Sequence, residues 1–327
     1  VHHQSASHCV SGLAKLRTKL SRLHNPAFMD EEMIYDVIGD VHGMRRPLEK
    51  LLKKLGYTNR DGIYCSPERR AIFVGDIIDR GPEIPASCDI VQGMMEAGAG
   101  AGVVMANHEA NLLAMHVRHP IYDGEYCRRR SNRNIAQVHE TLAQFGKKLD
   151  DALIWFSTWP LWLYVEDMMV FHACWRGQAE LQQAKITKLN DANFKRIFSN
   201  NKLLSSYNNL LKGPEFALGR GRQKDGYDVR YLWFAREQID DAVVRTGVDD
   251  YGAHIRKNGQ RLKEFHHRKN GKLMFFGHYS MHGAPRIFQR NAICVDFSNR
   301  KKGCLAAYSH QPGKATSQKQ FTAVPLD

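Results

Sequence analysis

Between Asp36 and Asn111 the chain carries three short blocks whose residue types could do chemistry on phosphorus. They are Gly39-Asp40-Val41-His42-Gly43, Gly75-Asp76-Ile77-Ile78-Asp79-Arg80-Gly81 and Asn107-His108-Glu109. Carboxylate and imidazole ligands suit manganese, iron and zinc. Two such divalent cations, roughly 3.5–4 Å apart, can grip a phosphate and make hydroxide from water near neutral pH. Asp40 and His42 are alternate residues, so on an extended segment both side chains point the same way, as two ligands of one ion require. Asp76 can bridge a pair of ions, and Asn107 adds a neutral oxygen without more charge. His108 would then sit beside the metals while pointing elsewhere, where a leaving oxygen needs a proton donor. Asp79 could hold the other ring nitrogen of His108 and keep the ring cationic. Arg80 offers the planar fork that matches a phosphoryl group.

Each block needs an element to deliver it. Short apolar runs precede them (Met33 to Ile38, Ala71 to Val74, Gly102 to Met105), and helix-like patterns follow. That alternation predicts βαβ units and a parallel sheet, whose loops at the carboxyl ends of the strands gather at one edge. After Gly43, Pro47 suits a helix start, Leu48, Leu51, Leu52 and Leu55 form an apolar stripe, and Gly56 ends it. Asp61-Gly62 predicts a hairpin-like reversal. A second helix is expected from Ile84 to Ala97. The glycine-rich stretch Gly98 to Gly102 precedes a strand, so it is no phosphate-binding loop, which must follow a strand and open a helix. The third helix begins near Asn107 and would turn its positive end towards bound anions.

The three blocks resemble the signatures of the calcineurin-like metallophosphoesterases, GDxHG, GDxxDRG and GNHE, and specifically the phosphoprotein phosphatase-like branch. The resemblance spans about residues 33 to 310. It implies an α/β fold, a two-sheet sandwich flanked by helices, with a dinuclear centre whose metal-bound hydroxide attacks phosphorus in line. It also implies two further histidine ligands, supplied by Phe171-His172-Ala173-Cys174 and Gly277-His278-Tyr279. On this basis Asp40 and His42 hold one ion, Asp76 bridges, and Asn107, His172 and His278 hold the other; manganese is the expected metal, with iron or zinc as alternatives. Asn107 and Arg80 also face the substrate. The family has a second arginine between its late histidines; Arg220 is taken for it, with Arg176, Arg222 and Arg230 as rivals. Three departures stand out: Ala106 for the glycine of GNHE, Ala173-Cys174 for a glycine pair, and Ser280 where wider relatives carry a second histidine.

The rest of the chain frames this domain. Of 327 residues, 43% are hydrophobic and 25% charged, as in ordinary folded proteins, and no apolar run is long enough for a membrane helix. No signal peptide is read at the N-terminus. Seven scattered cysteines without CxxC spacing predict free thiols in a reduced, cytoplasmic setting. A formal charge of +13 favours phosphorylated substrates, whether phosphoprotein or nucleotide, and admits a nucleic-acid partner. Residues 1–30 read as a peripheral segment with an amphipathic helix from Ser11 to Leu23. Residues 31–310 form the catalytic domain, and 175–270 are a helical cap insert with helices near Ala179 to Lys188 and Asn193 to Leu204. Tyr227, Tyr231, Trp233 and Phe234 are either the core of the cap or stacking aromatics. The run Arg128 to Arg133 is either a cationic rim or a solvated loop. Late antiparallel strands (Leu273 to Phe276, Arg286 to Gln289, Ala292 to Phe297, Cys304 to Tyr308) are expected to build the second sheet, and 311–327 to form a loosely held tail.

The resemblance implies a metal-dependent phosphatase acting on phosphate esters, foremost of phosphoproteins. A diadenosine tetraphosphatase-like nucleotide hydrolase and a nucleic-acid end-processing phosphatase are the alternatives. A nucleic-acid-binding module that merely keeps the fold would need neither both ligand sets nor His108.

Overall fold

The computed structural model describes residues 33–176, 178–217, 228–230, 232–234, 272–299 and 303–326. The expected helix at Ser11 to Leu23 lies outside them, as do Arg220, Arg222, Tyr227 and Tyr231.

The first strand, β1 (Ile34–Ile38), leads through the first block into α1 (Arg45–Lys54). A short hairpin follows, β2 (Thr58–Arg60) and β3 (Ile63–Cys65), then β4 (Arg69–Phe73) and α2 (Ile84–Glu96). Asp61 and Gly62 turn the hairpin with φ of 53° and 88°, the left-handed pair that a tight two-residue turn requires. β5 (Gly100–Val103) and α3 (Asn107–Ala114) complete the third unit. β5 thus takes up part of the glycine stretch itself. Next come α4 (Asn132–Phe145), α5 (Leu149–Ser157), and the antiparallel pair β6 (Trp162–Val165) and β7 (Met168–Phe171).

The insert holds α6 (Gln178–Gln183), α7 (Asp191–Phe198) and α8 (Asn201–Lys212), followed by β8 (Glu215–Ala217) and β9 (Asp228–Arg230). One helix was expected over Asn193 to Leu204; there are two, because the Asn200 side chain accepts from the backbone of Lys202 and Leu203 and starts a new helix. The chain closes with β10 (Leu273–Phe276), β11 (Ala292–Cys294), β12 (Asp296–Phe297), β13 (Cys304–His310) and β14 (Phe321–Pro325).

In the first sheet β1 pairs β4 in parallel and β4 pairs β5 in parallel, while β13 runs antiparallel to β1. The second has the order β11-β10-β7-β6. Three expectations need correcting here. β10 and β11 lie parallel beside β7, whereas β12, β13 and β14 join the first sheet. Arg286 to Gln289 forms no strand; only a bridge from Gln289 to Ala292 spans the turn at Asn291. The tail is held, since β14 covers β13 from Cys304 to Tyr308, pairing an edge that would otherwise stay open.

Alternation along the strands sets the layers. Val37, Ile72 and Tyr308 from one sheet meet Val170, Phe275 and Ile293 from the other, all fully buried. Each such side chain contributes about 1.5–3 kcal/mol relative to exposure. Their neighbours Ile38 and Phe73 point the other way, into a core shared with Leu48, Leu51 and Leu52 of α1. The result is two sheets face to face with helices outside. No helix among the described residues is long and apolar enough to cross a membrane.

Candidate active site

The three blocks leave the carboxyl ends of β1, β4 and β5, and His172 and His278 leave those of β7 and β10. All five turns meet at one edge of the sandwich. Backbone strain concentrates there: His42, Asp76, Asp79, Arg80, His278 and Ser280 all have φ between 46° and 75°. Such conformations cost on the order of 1–3 kcal/mol each and persist only where surroundings enforce them. Val41 and His42 both donate their N–H to the carbonyl of Asp76, at 3.0 and 2.8 Å, and Gly43 donates to Ile77. The N–H groups of Asp76, Ile77 and Ile78 donate to the buried carboxyl of Glu109 at 3.2, 2.8 and 3.2 Å. Gly277 is needed as glycine, because a Cβ there would stand 2.1 Å from Asp40 Oδ1.

Asp40, His42, Asp76, Asn107, His108, His172 and His278 are all buried. Asp76 Oδ2 lies 3.7 Å from His42 Nε2, 3.8 Å from His108 Nε2 and 3.5 Å from His172 Nε2. Asp40 Oδ2 is 4.0 Å from His42 Nε2. Asn107 Oδ1 stands 2.9 Å from His172 Nε2 and 2.7 Å from His278 Nδ1. Two groups of potential ligands result, His42–Asp76–His108 and Asp76–His172–His278, with Asp76 in both.

These residues fit cations. A carbonyl oxygen can only accept, so the contacts from His42 Nδ1 to Ile78 O (2.9 Å) and from His172 Nδ1 to Val74 O (2.8 Å) place the ring protons on Nδ1. Each Nε2 therefore keeps a lone pair aimed at the carboxylates, and that of His42 is buried without a hydrogen-bond partner, the orientation a metal ligand needs. Burial, helped by the Arg80 charge, holds His42 well below its usual basicity, so the ring stays neutral. Burial pushes the Asp40 carboxyl well up, and the neighbouring carboxylates of Asp296 and Asp76 add to it. Burial also pushes Asp76 up, but the facing rings, His108 foremost, outweigh it and hold that carboxyl well below the usual range. Stacking carboxylates this way calls for positive charge between them.

The Asp79 carboxylate reaches His108 Nδ1 at 2.5 Å, leaving Nε2 turned towards the cluster. Arg80 is half-buried beside it. Of the arginines weighed for a second phosphate contact, Arg220 lies outside the described residues. Arg230 donates to the His278 carbonyl at 2.6 Å and pairs with Glu215 at 3.6 Å, so it braces the His278 loop. Trp233 and Phe234 are core, packed on Phe276. The basic run is tied down too: Arg128 donates to Asn111, Asn134 and Gln137, and Arg130 stacks over Tyr126 at 3.8 Å.

Sequence reasoning missed three supporting residues. Glu109 was in view as part of the third block, yet its role appears only in the fold. Asp296 is fully buried beside Asp40 and accepts the N–H groups of Ser280 and Ser298, which fixes the turn after His278. Its signal was a carboxylate inside the apolar run Ala292 to Phe297. Thr141, buried on α4, binds Asp79 and gave no signal in the sequence.

Among curated proteins, the chain is similar to the bis(5'-nucleosyl)-tetraphosphatase PrpE (asymmetrical) of Oceanobacillus iheyensis, 56% identical over 52 residues, 16% of this chain and 21% of that protein. It is also 40% identical over 77 residues to the protein of that name from Bacillus subtilis, 23% of this chain and 31% of the relative. The chain thus spans less than a third of these relatives' length. Among solved structures, a cold-active protein tyrosine phosphatase aligns with a TM-score of 0.50 at 18% identity, over 89% of this chain and 78% of that one. The cold-active protein-tyrosine phosphatase of a psychrophilic Shewanella species gives 0.50 at 16% identity, over 92% and 85%. These two share the fold. A family model described as calcineurin-like phosphoesterase matches residues 33–280, most of the chain and all five turns of the site; the chain belongs to the calcineurin-like phosphoesterase family.

Proposed function

We propose that the chain is a metal-dependent phosphatase that hydrolyses phosphate esters at a dinuclear centre. The observation that carries this is the shared carboxylate: Asp76 belongs to both groups of buried ligands. Asp40 and His42 would hold one ion and Asn107, His172 and His278 the other, with Asp76 common to both. When bound, such ions polarise phosphoryl oxygens and acidify water. Manganese is the ion proposed, with iron and zinc suited to the same donors.

The chain's own residues supply the remaining steps. The carbonyls of Ile78 and Val74 fix His42 and His172 with their lone pairs inward. Arg80 steadies the charge that grows on the equatorial oxygens of the phosphoryl group. His108 gives its Nε2 proton to the departing oxygen, and Asp79 accepts from Nδ1 and holds the ring in place.

Phosphoprotein esters are the leading substrate class. Dinucleoside polyphosphates are the second reading, supported by the activity for which the PrpE relatives are named. The net charge of +13 suits either, and nothing in the relatives supports a nucleic-acid partner. A cytoplasmic setting accords with six cysteines that are unpaired among the described residues. The test is a panel of phosphopeptides, dinucleoside polyphosphates and terminal nucleic-acid phosphates, each assayed with added manganese. Release of phosphate from phosphopeptides at the highest kcat/KM is expected; no turnover of any member would sink the proposal.

A further inference from the structure

We propose that Thr141 is a positioning residue for catalysis, acting through Asp79 on His108. Thr141 is fully buried on the inner face of α4, and its hydroxyl contacts Asp79 twice. The oxygen accepts the Asp79 N–H at 3.1 Å, and the hydroxyl proton goes to Asp79 Oδ1 at 2.5 Å. Asp79 sits at φ 66°, a strained conformation whose N–H no ladder serves. One hydroxyl therefore holds that backbone and occupies one carboxylate oxygen, which leaves Oδ2 for His108 Nδ1.

The helix that carries Thr141 is itself fixed to the same loop. Gln144, three residues on, accepts from Ile84 N at 2.8 Å and donates to Gly81 O at 3.0 Å. Gln137, one turn earlier, accepts from Arg128, which also grips Asn111 on α3, the helix of His108. So α4 reaches both halves of the Asp79–His108 pair, and Thr141 is its one fully buried hydroxyl on the carboxylate. Valine at this position keeps the volume and removes both bonds; serine keeps both bonds.

The inference rests on His108 acting as the proton donor, so its test includes His108→Asn. Thr141→Val, Thr141→Ser and His108→Asn are compared with the natural chain, manganese-loaded, on phenyl phosphate and 4-nitrophenyl phosphate. The nitrophenolate leaves with little need of a proton, so losing a well-placed acid harms the phenyl ester more. Thr141→Val is expected to lose ~10-fold more turnover on phenyl phosphate than on 4-nitrophenyl phosphate, with KM and metal content unchanged. Thr141→Ser should stay within ~3-fold of the natural chain, since its hydroxyl makes the same bonds. In metal-free protein, the strongly downfield proton resonance of the His108–Asp79 bond, assigned by its absence in His108→Asn, should move in Thr141→Val and hold in Thr141→Ser. Equal losses on both esters, or a serine variant as impaired as the valine one, while His108→Asn discriminates between the esters, would overturn the inference. If His108→Asn does not discriminate, the acid reading fails instead, and an unmoved resonance in Thr141→Val then refutes the positioning claim by itself. Should Thr141→Val not accumulate folded, Thr141→Cys serves the same comparison.

Discussion

Asp76 and His172 meet across the seam between the two sheets, the carboxylate Oδ2 lying 3.5 Å from the ring Nε2. One leaves β4 and the other β7, so the site exists only where the sheets face each other. Asp76→Asn removes the charge common to both ligand groups. It should leave the purified protein without either ion, whereas His42→Ala should retain one. Elemental analysis after dialysis decides, and two ions in Asp76→Asn would contradict a shared ligand.

His108 stands close enough to Asp76 to serve as a ligand, at 3.8 Å, and close enough to Asp79 to serve as an acid. Metal content separates the roles. His108→Asn should lower turnover of aryl phosphates by roughly 10²–10⁴ while both ions remain bound. Loss of an ion in that variant would make His108 a ligand.

Glu109 accepts three backbone N–H groups from the strained second block. Burial, followed by the Asp76 charge, pushes its carboxyl up to about 8. Glu109→Gln keeps an acceptor and should be tolerated. Glu109→Leu leaves buried donors unsatisfied and should cost about 3 kcal/mol or more in unfolding free energy. Denaturant unfolding of the two variants measures the difference.

The Asp167 carboxylate, at the turn between β6 and β7, ties β13 to the second sheet. It accepts from Gly313 N at 3.1 Å and meets the buried ring of His310 at 2.8 Å. Burial raises its pKa, but the Gly313 and His310 contacts outweigh burial and bring it below the usual 3.8. A carboxyl lowered on folding stabilises above its unfolded pKa, and that contribution fades as pH falls through the folded value. Asp167→Asn should therefore melt lower than the natural chain at neutral pH, with the gap closing below about pH 4. Thermal melts across that range check the sign; a constant gap would show that ionisation is not the cause.

Much of this was legible in one dimension. The apolar runs before the first two blocks predicted β1 and β4, because a buried parallel strand needs continuous hydrophobicity, whereas β5 begins two residues before the expected run, inside the glycine stretch. The hairpin at Asp61-Gly62 followed from the left-handed backbone that such a turn demands. The late strands misled because alternation does not say which sheet a strand joins. Chain crossing at Val295, whose N–H still reaches Phe276 O at 2.8 Å, carries Asp296 back under Asp40 and β12 into the first sheet. The tail misled because its polar residues precede β14, a strand that gains its stability from the open edge of β13.

Residue types and their spacing alone marked Asp40, His42, Asp76 and Asn107 as candidate ion ligands, with His108 and Arg80 beside them, since each lies within a few residues of a strand end. Only the tertiary structure decided that Arg128 and Arg230 brace the scaffold, and that Thr141, Glu109 and Asp296 hold the strained turns. Those roles depend on which distant groups become neighbours after water is excluded, and burial of that kind leaves no periodicity in a sequence to read.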